Sequence, residues 1–192
     1  MVRTATQADE AAAIAVVVLA FTSDPITRWT WSDPDVYLAH FPAFVKAFGG
    51  PGFARGGALV AEDYAGAALW LPPGVGPDED AMGELLQRTA PAHLQGDIFA
   101  LLEQMGRYHP SEPHWYLPLI GVDPARQGQG VGSALMRHAL AACDRDKLPA
   151  YLESTNPQNI PLYERHGFQL LGTIQAGSSP PLFPMLRPSS RR

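Results

Sequence analysis

The segment GVDPARQGQGVGSALM, residues 121–136, restricts the fold of this chain more than any other stretch, because glycine occupies four of its first twelve positions. A strand-like apolar run, HWYLPLIGV, leads into the segment, and a helical apolar pattern from about Gly130 to Arg145 follows it. A strand that passes through glycines into a helix collects unpaired backbone N–H groups at the positive end of the helix dipole. Gly128, Gly130 and Gly132 also let a ligand approach the backbone closely. The segment therefore predicts a phosphate-binding turn within an α/β fold.

Two familiar nucleotide-binding motifs do not fit this turn. A P-loop requires Gly-Lys-Ser/Thr, and the chain has no lysine between Asp123 and Asp146. A dinucleotide-binding turn requires glycine at the position that Ser133 occupies here. The phosphate ligand is therefore expected to belong to another class.

The order of the remaining elements predicts one domain. Two helical segments (about 8–20 and 36–48) precede a hairpin formed by ALVAED and AGAALWLP, and two more helical pieces occupy residues 80–108. The glycine turn and its helix then separate HWYLPLIGV from the strands AYLEST, FQLLGTIQ and 182–186. Pro118, within HWYLPLIGV, predicts that this strand is an edge strand or carries a bulge. We expect an α/β (α+β) domain over residues 1–187, with a mixed sheet of six to seven strands flanked by helices, and a flexible tail at 188–192.

Composition excludes several classes of protein. The chain has 192 residues, is 46% hydrophobic and carries a net charge of −5, which predicts a globular domain and argues against bulk nucleic-acid binding. The single cysteine, Cys143, lies in an apolar helical pattern and is expected to be a core thiol in a reducing compartment. The apolar run Ala11–Phe21 follows two acidic residues and is too short for a bilayer, which needs about 20 residues. We expect a buried first helix, a cytoplasmic protein and no membrane partner.

Two motifs together resemble the GNAT N-acyltransferase superfamily. QGQGVG, residues 127–132, matches the Gln/Arg-x-x-Gly-x-Gly/Ala pattern of its acyl-CoA loop, and NPQNIPLYERHGF, residues 156–168, resembles its second conserved element. HWYLPLIGVDP with YLEST is most similar to bacterial small-molecule acetyltransferases of the puromycin-acetyltransferase type. The resemblance implies an enzyme that uses acetyl-CoA without a metal, acetylates a small amine, and is a monomer or homodimer. It also implies strands that splay apart at the acyl-CoA site.

The resemblance assigns CoA binding to the glycine turn, the strand before it and the asparagines after the next strand. Backbone amides of the turn would hold the pyrophosphate, with a hydroxyl from Ser133, and the strand would pair with the pantetheine arm. The predicted residues are Ile120, Gly121, Val122, Gln127, Gly128, Gln129, Gly130, Val131, Gly132, Ser133, Asn156 and Asn159. The two asparagines also fit turn or cap residues beside Pro157. Arg126 and Arg165 are near enough in the sequence to approach the adenosine phosphates, but exposed arginines at helix edges need no ligand.

Acyl transfer from a thioester to an amine requires proton transfer at two points. An alkylammonium is only about 0.1% neutral at pH 7, so a base or a water chain assists the attack, and the departing thiolate gains from an acid. The resemblance places Tyr163 in the acid's position. The strand HWYLPLIGV lacks the glutamate that many relatives carry, and Glu153, a charge within a strand-like run, is the predicted base, acting through water. His109 and His114 are the alternatives.

The acceptor is expected between the first helices and the splayed strands. SDPITRWTW provides Asp24 for a cationic amine and Trp29 or Trp31 for its body, and Trp70 is expected to face the same space. Two other functions remain open from the sequence. One is acetylation of peptide or protein N-termini, which needs an open groove, and the other is an inactive module that only binds acyl-CoA.

Overall fold

Seven strands form one open sheet in the computed structural model, which describes residues 1–189. Along the chain the strands are β1 (Val2–Thr4), β2 (Ala58–Ala61), β3 (Gly66–Leu71), β4 (Trp115–Val122), β5 (Ala150–Ser154), β6 (Gln169–Leu170) and β7 (Phe183–Arg187). Their order in the sheet is β1-β2-β3-β4-β5-β7-β6. The pair β4–β5 is parallel, and the other neighbours are antiparallel. The predicted mixed sheet and α/β class are confirmed.

The helices cover both faces of this sheet. They are α1 (Glu10–Ala20), α2 (Pro25–Thr30), α3 (Pro34–Gly49), α4 (Glu79–Thr89), α5 (Gln95–Tyr108), α6 (Val131–Asp146) and α7 (Ile160–Arg165). Each Asp-Pro pair between α1 and α3 begins a helix, because the Asp24 and Asp33 carboxylates accept backbone N–H bonds and the proline takes the first helical position. α2 and α3 therefore begin nine residues apart, and residues of α2 line the cavity that is described below.

Two apolar clusters lie on opposite faces of the sheet. On one face α1 and α3 pack on β3 and β4 around residues such as Val17, Phe41 and Leu69. On the other face α6 packs around Leu135 and Met136. Cys143 belongs to this second cluster, and burial raises the pKa of its thiol to about 12, as suits a core thiol. No helix within residues 1–189 has the length and apolarity needed to cross a membrane.

The predicted strand FQLLGTIQ is mostly irregular, and this corrects the expectation from the sequence. Only Gln169 and Leu170 pair with β7, and one further bridge joins Ile174 to Leu182. Ile174 packs with Leu101 of α5, so the segment leaves the sheet to cover that helix. β7 ends at Arg187, which is also the predicted end of the domain. The predicted tail comprises residues 188–192, of which residues 190–192 lie outside the described residues.

Candidate active site

The parallel strands β4 and β5 pair over only three positions, Trp115–Leu117 opposite Ala150–Leu152. On its other side β4 has a register shift against β3, since Leu69 faces Leu119 but Leu71 faces Tyr116, so β4 carries one extra residue. Pro118 lies at this bulge in a central strand, which excludes the alternative of an edge strand. Beyond the bulge β4 and β5 diverge and leave a gap.

A cavity of about 610 Å³ occupies the gap and continues between the helices of one face. Its wall includes β4 from Leu117 to Val122, the end of β5, the glycine turn and α7, together with residues of α2, α3, α4 and α5. The charged side chains that line it within the described residues are Asp24, Arg126, Glu153 and Arg165. The cavity thus connects the glycine turn with a space lined by hydrophobic residues of α3, α4 and α5, the apolar chamber.

The glycine turn leaves its backbone open to the cavity. Gly128 and Gly130 have φ angles of 74° and 81°, a left-handed conformation that suits glycine. No atom lies within 4 Å of the place where a Cβ would stand on either residue. Gly130 caps α6 without a side-chain hydrogen bond, so the first N–H groups of this 16-residue helix face the cavity side unpaired. These features fit the pyrophosphate of CoA.

Side chains of the turn stabilise its shape. Gln127 Nε2 donates to the carbonyl of Val122 at 3.2 Å, and Gln129 Nε2 donates to that of Ala125 at 3.3 Å. Gln129 does not line the cavity, whereas Gln127 does. Ser133 lines it as well, and its Oγ lies 3.1 Å from Nε2 of His166.

The two predicted asparagines line the cavity at the start of α7. Asn156 Oδ1 accepts a hydrogen bond from the backbone N–H of Gln158 at 3.0 Å, so Asn156 is a cap residue that also borders the cavity. Asn159 is exposed immediately before α7, and its side chain makes no cap hydrogen bond there. Both positions are compatible with contact to a bound molecule.

Glu153 lies on β5 at the edge of the gap and lines the cavity. Its Oε2 accepts a hydrogen bond from the Tyr116 hydroxyl at 2.9 Å, while its buried Oε1 has no hydrogen-bond partner among residues 1–189. Burial raises the pKa of Glu153 to about 7, and the phenol groups of Tyr116 and Tyr151 act in the opposite direction. A carboxyl group with this pKa accepts and releases protons near neutral pH.

Tyr163, on α7, also lines the cavity and is 5% exposed. Burial raises the pKa of its phenol, and the negative charge of Asp24 raises it further. The hydroxyl is therefore protonated at neutral pH and can donate. The structure brings Glu153 and Tyr163 to one cavity from β5 and α7.

The two histidine alternatives lie elsewhere. His109 and His114 line a separate pocket of about 370 Å³, where their Nε2 atoms are 2.9 Å apart. Burial and the neighbouring His114 lower the pKa of His109 to about 4. Tyr116 stands between the two spaces, because its side chain borders this pocket while its hydroxyl contacts Glu153. Neither histidine lines the larger cavity.

Three of the four predicted acceptor residues, Asp24, Trp29 and Trp31, line the cavity, but Trp70 does not. Trp70 is completely buried against α6 on the opposite face of the sheet. Successive residues of a strand point to opposite faces, and Leu69 already points to the cavity side of β3. Trp70 is therefore a core residue, which corrects the expectation that it faces the acceptor.

Asp24 is already engaged within the fold. Its Oδ1 accepts hydrogen bonds from the backbone N–H of Thr27 at 3.0 Å and from the Thr27 hydroxyl at 2.9 Å, and the Thr155 hydroxyl donates to its Oδ2. The indole N–H of Trp31 donates to Thr89, and that of Trp29 donates to Ser178. These side chains are thus fixed by internal hydrogen bonds.

Sequence reasoning missed two tyrosines beside Glu153. Tyr151 lies two residues before Glu153, hence on the same face of β5, and strand alternation was a signal that could have identified it. Tyr116 meets Glu153 only through the pairing of β4 with β5, between residues 37 apart in sequence. No local pattern indicates that contact.

The glycine turn at the start of α6 and the opened pair of parallel strands, in one cavity with Glu153 and Tyr163, form the arrangement expected for an acyl-CoA-dependent transferase. The Acetyltransferase (GNAT) family matches residues 25–168. The chain belongs to this family, and it is an acetyltransferase.

Individual relatives extend the likeness over most of the chain. A crystal structure from Corynebacterium glutamicum, described as histone acetyltransferase HPA2 and related acetyltransferase, is 29% identical with a TM-score of 0.73 and covers 100% of this chain and 97% of its own. An uncharacterized N-acetyltransferase of Schizosaccharomyces pombe is 28% identical over 182 residues, covering 81% of this chain and 69% of that protein. A mycothiol acetyltransferase of Kineococcus radiotolerans is 28% identical over 179 residues. This chain spans 44% of that relative's length, and the match covers 90% of this chain.

Proposed function

We propose that this protein transfers the acetyl group of acetyl-CoA to the primary amine of a small molecule by direct attack. The observation that carries the proposal is the single cavity that joins the uncapped start of α6 to Glu153, Tyr163 and an apolar chamber. Solved structures of the same fold include proteins named as agmatine and arylalkylamine N-acetyltransferases, whose acceptors are small amines. Their identities of 16% and 18% show the fold alone, so the acceptor is argued from the cavity.

The cosubstrate would lie along the opened strand. The N–H groups at the start of α6 and the turn of residues 127–132 would hold the pyrophosphate, because a helix N-terminus attracts anions. The main chain of residues 120–122, which borders the gap, would pair with the pantetheine arm, and Asn156 and Asn159 would contact it from the opposite wall. Bound acetyl-CoA supplies the thioester carbonyl that the amine attacks.

Glu153 acts as the general base. Glu153 lines the cavity and its Oε1 has no hydrogen-bond partner among the described residues, so the carboxylate can accept a proton from the amine through a water. With the pKa near 7, a substantial fraction of the carboxyl groups is ionised at neutral pH. Proton removal leaves the nitrogen lone pair free to form the C–N bond.

Tyr163 acts as the general acid. When the C–S bond breaks, its hydroxyl donates a proton to the departing sulfur, and the products are the N-acetyl amine and CoA thiol. The raised pKa keeps this proton in place until the thiolate forms. As the amide forms, the nitrogen of the adduct loses its second proton, which restores the tyrosine hydroxyl through water. The proton on Glu153 returns to solvent, so each ammonium acetylated releases one proton and both residues are regenerated.

Release of CoA thiol, measured with a panel of amines and purified protein, tests the proposal. Tyr163→Phe should lower kcat by about 10²–10⁴-fold and leave the acetyl-CoA Kd from calorimetry near that of the wild type, because only the proton is removed. Tyr64→Phe is the matched control, since its hydroxyl contacts Asp9 away from the cavity. Unchanged turnover in Tyr163→Phe would remove this residue from the mechanism.

A peptide amine is the second candidate acceptor, because the relative at 29% identity is described as a histone acetyltransferase and related acetyltransferase. The panel therefore includes a lysine-containing peptide and a peptide with a free N-terminus. Turnover of a peptide with none of a small amine would favour that candidate. Tight acetyl-CoA binding with no CoA release from any amine would instead indicate a binding module.

A further inference from the structure

The part of the cavity that lies between the helices is apolar. Every residue that α3, α4 and α5 contribute to the lining is hydrophobic, including Phe44, Phe48, Leu86, Leu101 and Met105. None of the four charged lining residues within residues 1–189 belongs to these helices. An acceptor that enters this chamber therefore meets side chains without charge.

The polar groups that α2 adds to the chamber are already paired. The Thr30 hydroxyl donates to the carbonyl of Ile26 at 2.9 Å, and the Thr27 hydroxyl donates to Asp24. The indole N–H groups of Trp29 and Trp31 have partners as well. What α2 presents to a ligand is chiefly aromatic and aliphatic surface.

Both anionic groups of the cavity lie at the strand end. Glu153 is part of β5, and Asp24 is hydrogen-bonded to Thr155, which follows β5 directly. A bound amine nitrogen is therefore favoured beside the gap, where acetyl transfer takes place. The rest of the acceptor then points away from the sheet and toward α3, α4 and α5.

We propose that the acceptor is a monoamine with an apolar body: its nitrogen lies between Glu153 and Asp24, and its carbon skeleton fills the chamber lined by α3, α4 and α5. This inference rests on the proposed function. A second ammonium on the far end of the acceptor would lose its hydration and meet no carboxylate in the chamber. Contact with the Trp29 ring recovers only part of that loss. Diamines and polyamines are therefore disfavoured.

A matched pair of acceptors tests the proposal on the unmodified protein. Hexylamine and 1,6-diaminohexane have the same carbon chain and differ by the terminal ammonium. At pH 7.5 and saturating acetyl-CoA, kcat/KM for CoA release should be at least about 100-fold higher with hexylamine, because the diamine must bury an unpaired charge. Equal values, or a preference for the diamine, would overturn the inference.

One substitution should reverse part of this preference. Met105 is partly buried on α5 and lines the chamber, so Met105→Glu places a carboxylate there and Met105→Gln places a side chain of similar shape without charge. Met105→Glu should reduce the hexylamine-to-diamine ratio at least about tenfold by pairing with the second ammonium. Met105→Gln should change the ratio much less. The same change in both variants would contradict the argument from charge.

The outcomes separate this inference from the function on which it rests. CoA release with the diamine or with polar amines, but not with hexylamine, overturns the apolar chamber as acceptor site and leaves N-acetyl transfer intact. Acetyl-CoA binding without CoA release from any amine overturns both. If Met105→Glu fails to fold, as judged by circular dichroism, the wild-type ratio still decides the inference.

Discussion

Replacing Tyr116 by phenylalanine should shift the pH dependence of acetyl transfer to more alkaline values. The Tyr116 hydroxyl donates to Glu153 Oε2 at 2.9 Å, and burial holds the pKa of Glu153 at about 7. A donated hydrogen bond stabilises the ionised carboxylate more than the neutral acid. Its removal favours the protonated form, so the pKa of Glu153 rises and more alkaline solution is needed to generate the base.

The size of the shift follows from the strength of that hydrogen bond. A hydrogen bond to a charged group contributes about 1.5–3 kcal/mol, and one pKa unit corresponds to about 1.4 kcal/mol. The pKa of Glu153 should therefore rise by roughly 1 to 2 units, which moves the acidic limb of kcat/KM to about pH 8–9. At pH 7 the variant should be roughly 5- to 50-fold slower than the wild type, and the two should converge at higher pH.

The assay is the rate of CoA release between pH 5.5 and 10, with one acceptor amine throughout. The ionisation of the amine then contributes equally to every variant, and the difference between midpoints reports on the protein. Glu153→Gln should lose the acidic limb that the carboxyl group produces. Tyr64→Phe removes a comparable hydroxyl, 2.6 Å from Asp9, and should keep the wild-type midpoint.

A purely structural role for Tyr116 predicts a different result. Loosening of the site would lower kcat/KM by a similar factor at every pH and leave the midpoint in place. That outcome in a folded Tyr116→Phe variant would refute the assignment of Glu153 as the base whose protonation sets the profile. A shift toward acidic pH would contradict the electrostatic reasoning itself.

Two further substitutions test the turn and the start of the fold. Gly130→Val should abolish acetyl-CoA binding in calorimetry, because a β-branched residue does not tolerate a φ of 81° and its side chain occupies the space beside the turn. Gly106→Val on the surface of α5 is the control. Persistent binding in Gly130→Val would place the phosphate site elsewhere. Asp9→Asn should lower Tm at pH 7, because hydrogen bonds from Arg3 and Tyr64 hold the pKa of Asp9 well below its usual range. That stabilisation is present above the unfolded pKa of about 4 and is lost in acid, so Tm should fall less steeply with decreasing pH in the variant, and parallel curves would count against it.

Local sequence patterns predicted the elements whose geometry is set by neighbouring residues. The glycine turn, the helix that follows it and the strand that holds Glu153 were predicted from the properties of a few adjacent residues. The Asp-Pro pairs that begin α2 and α3 were not predicted as helix starts. The family resemblance then related the glycine turn to the α7 segment. These parts of the fold and site could be predicted because their geometry depends on neighbouring residues in the sequence.

Long-range pairing decided what the sequence did not reveal. Whether Leu69 or Trp70 lies on the face of the sheet that carries the cavity depends on the register of β3, and a shift of one residue would exchange the two. The Tyr116–Glu153 contact requires β4 and β5 to be parallel neighbours. The apolar chamber could not be predicted from the sequence, because a hydrophobic helix face has the same residue pattern whether it packs on a solid core or lines a cavity.

The opening between β4 and β5 is compatible with a stable sheet because each strand keeps its other neighbour. β5 pairs with β7 along all five of its residues, and β4 pairs with β3 as far as Val122. Pro118 has no N–H group, so the first position past the parallel pairing carries no unpaired donor. A cosubstrate that adds itself beside β4, as proposed, would therefore gain backbone hydrogen bonds without breaking those of the sheet. For this physical reason β4, the proposed binding strand, and β5, which carries the proposed base, can be neighbours and still leave room for the reacting atoms between them.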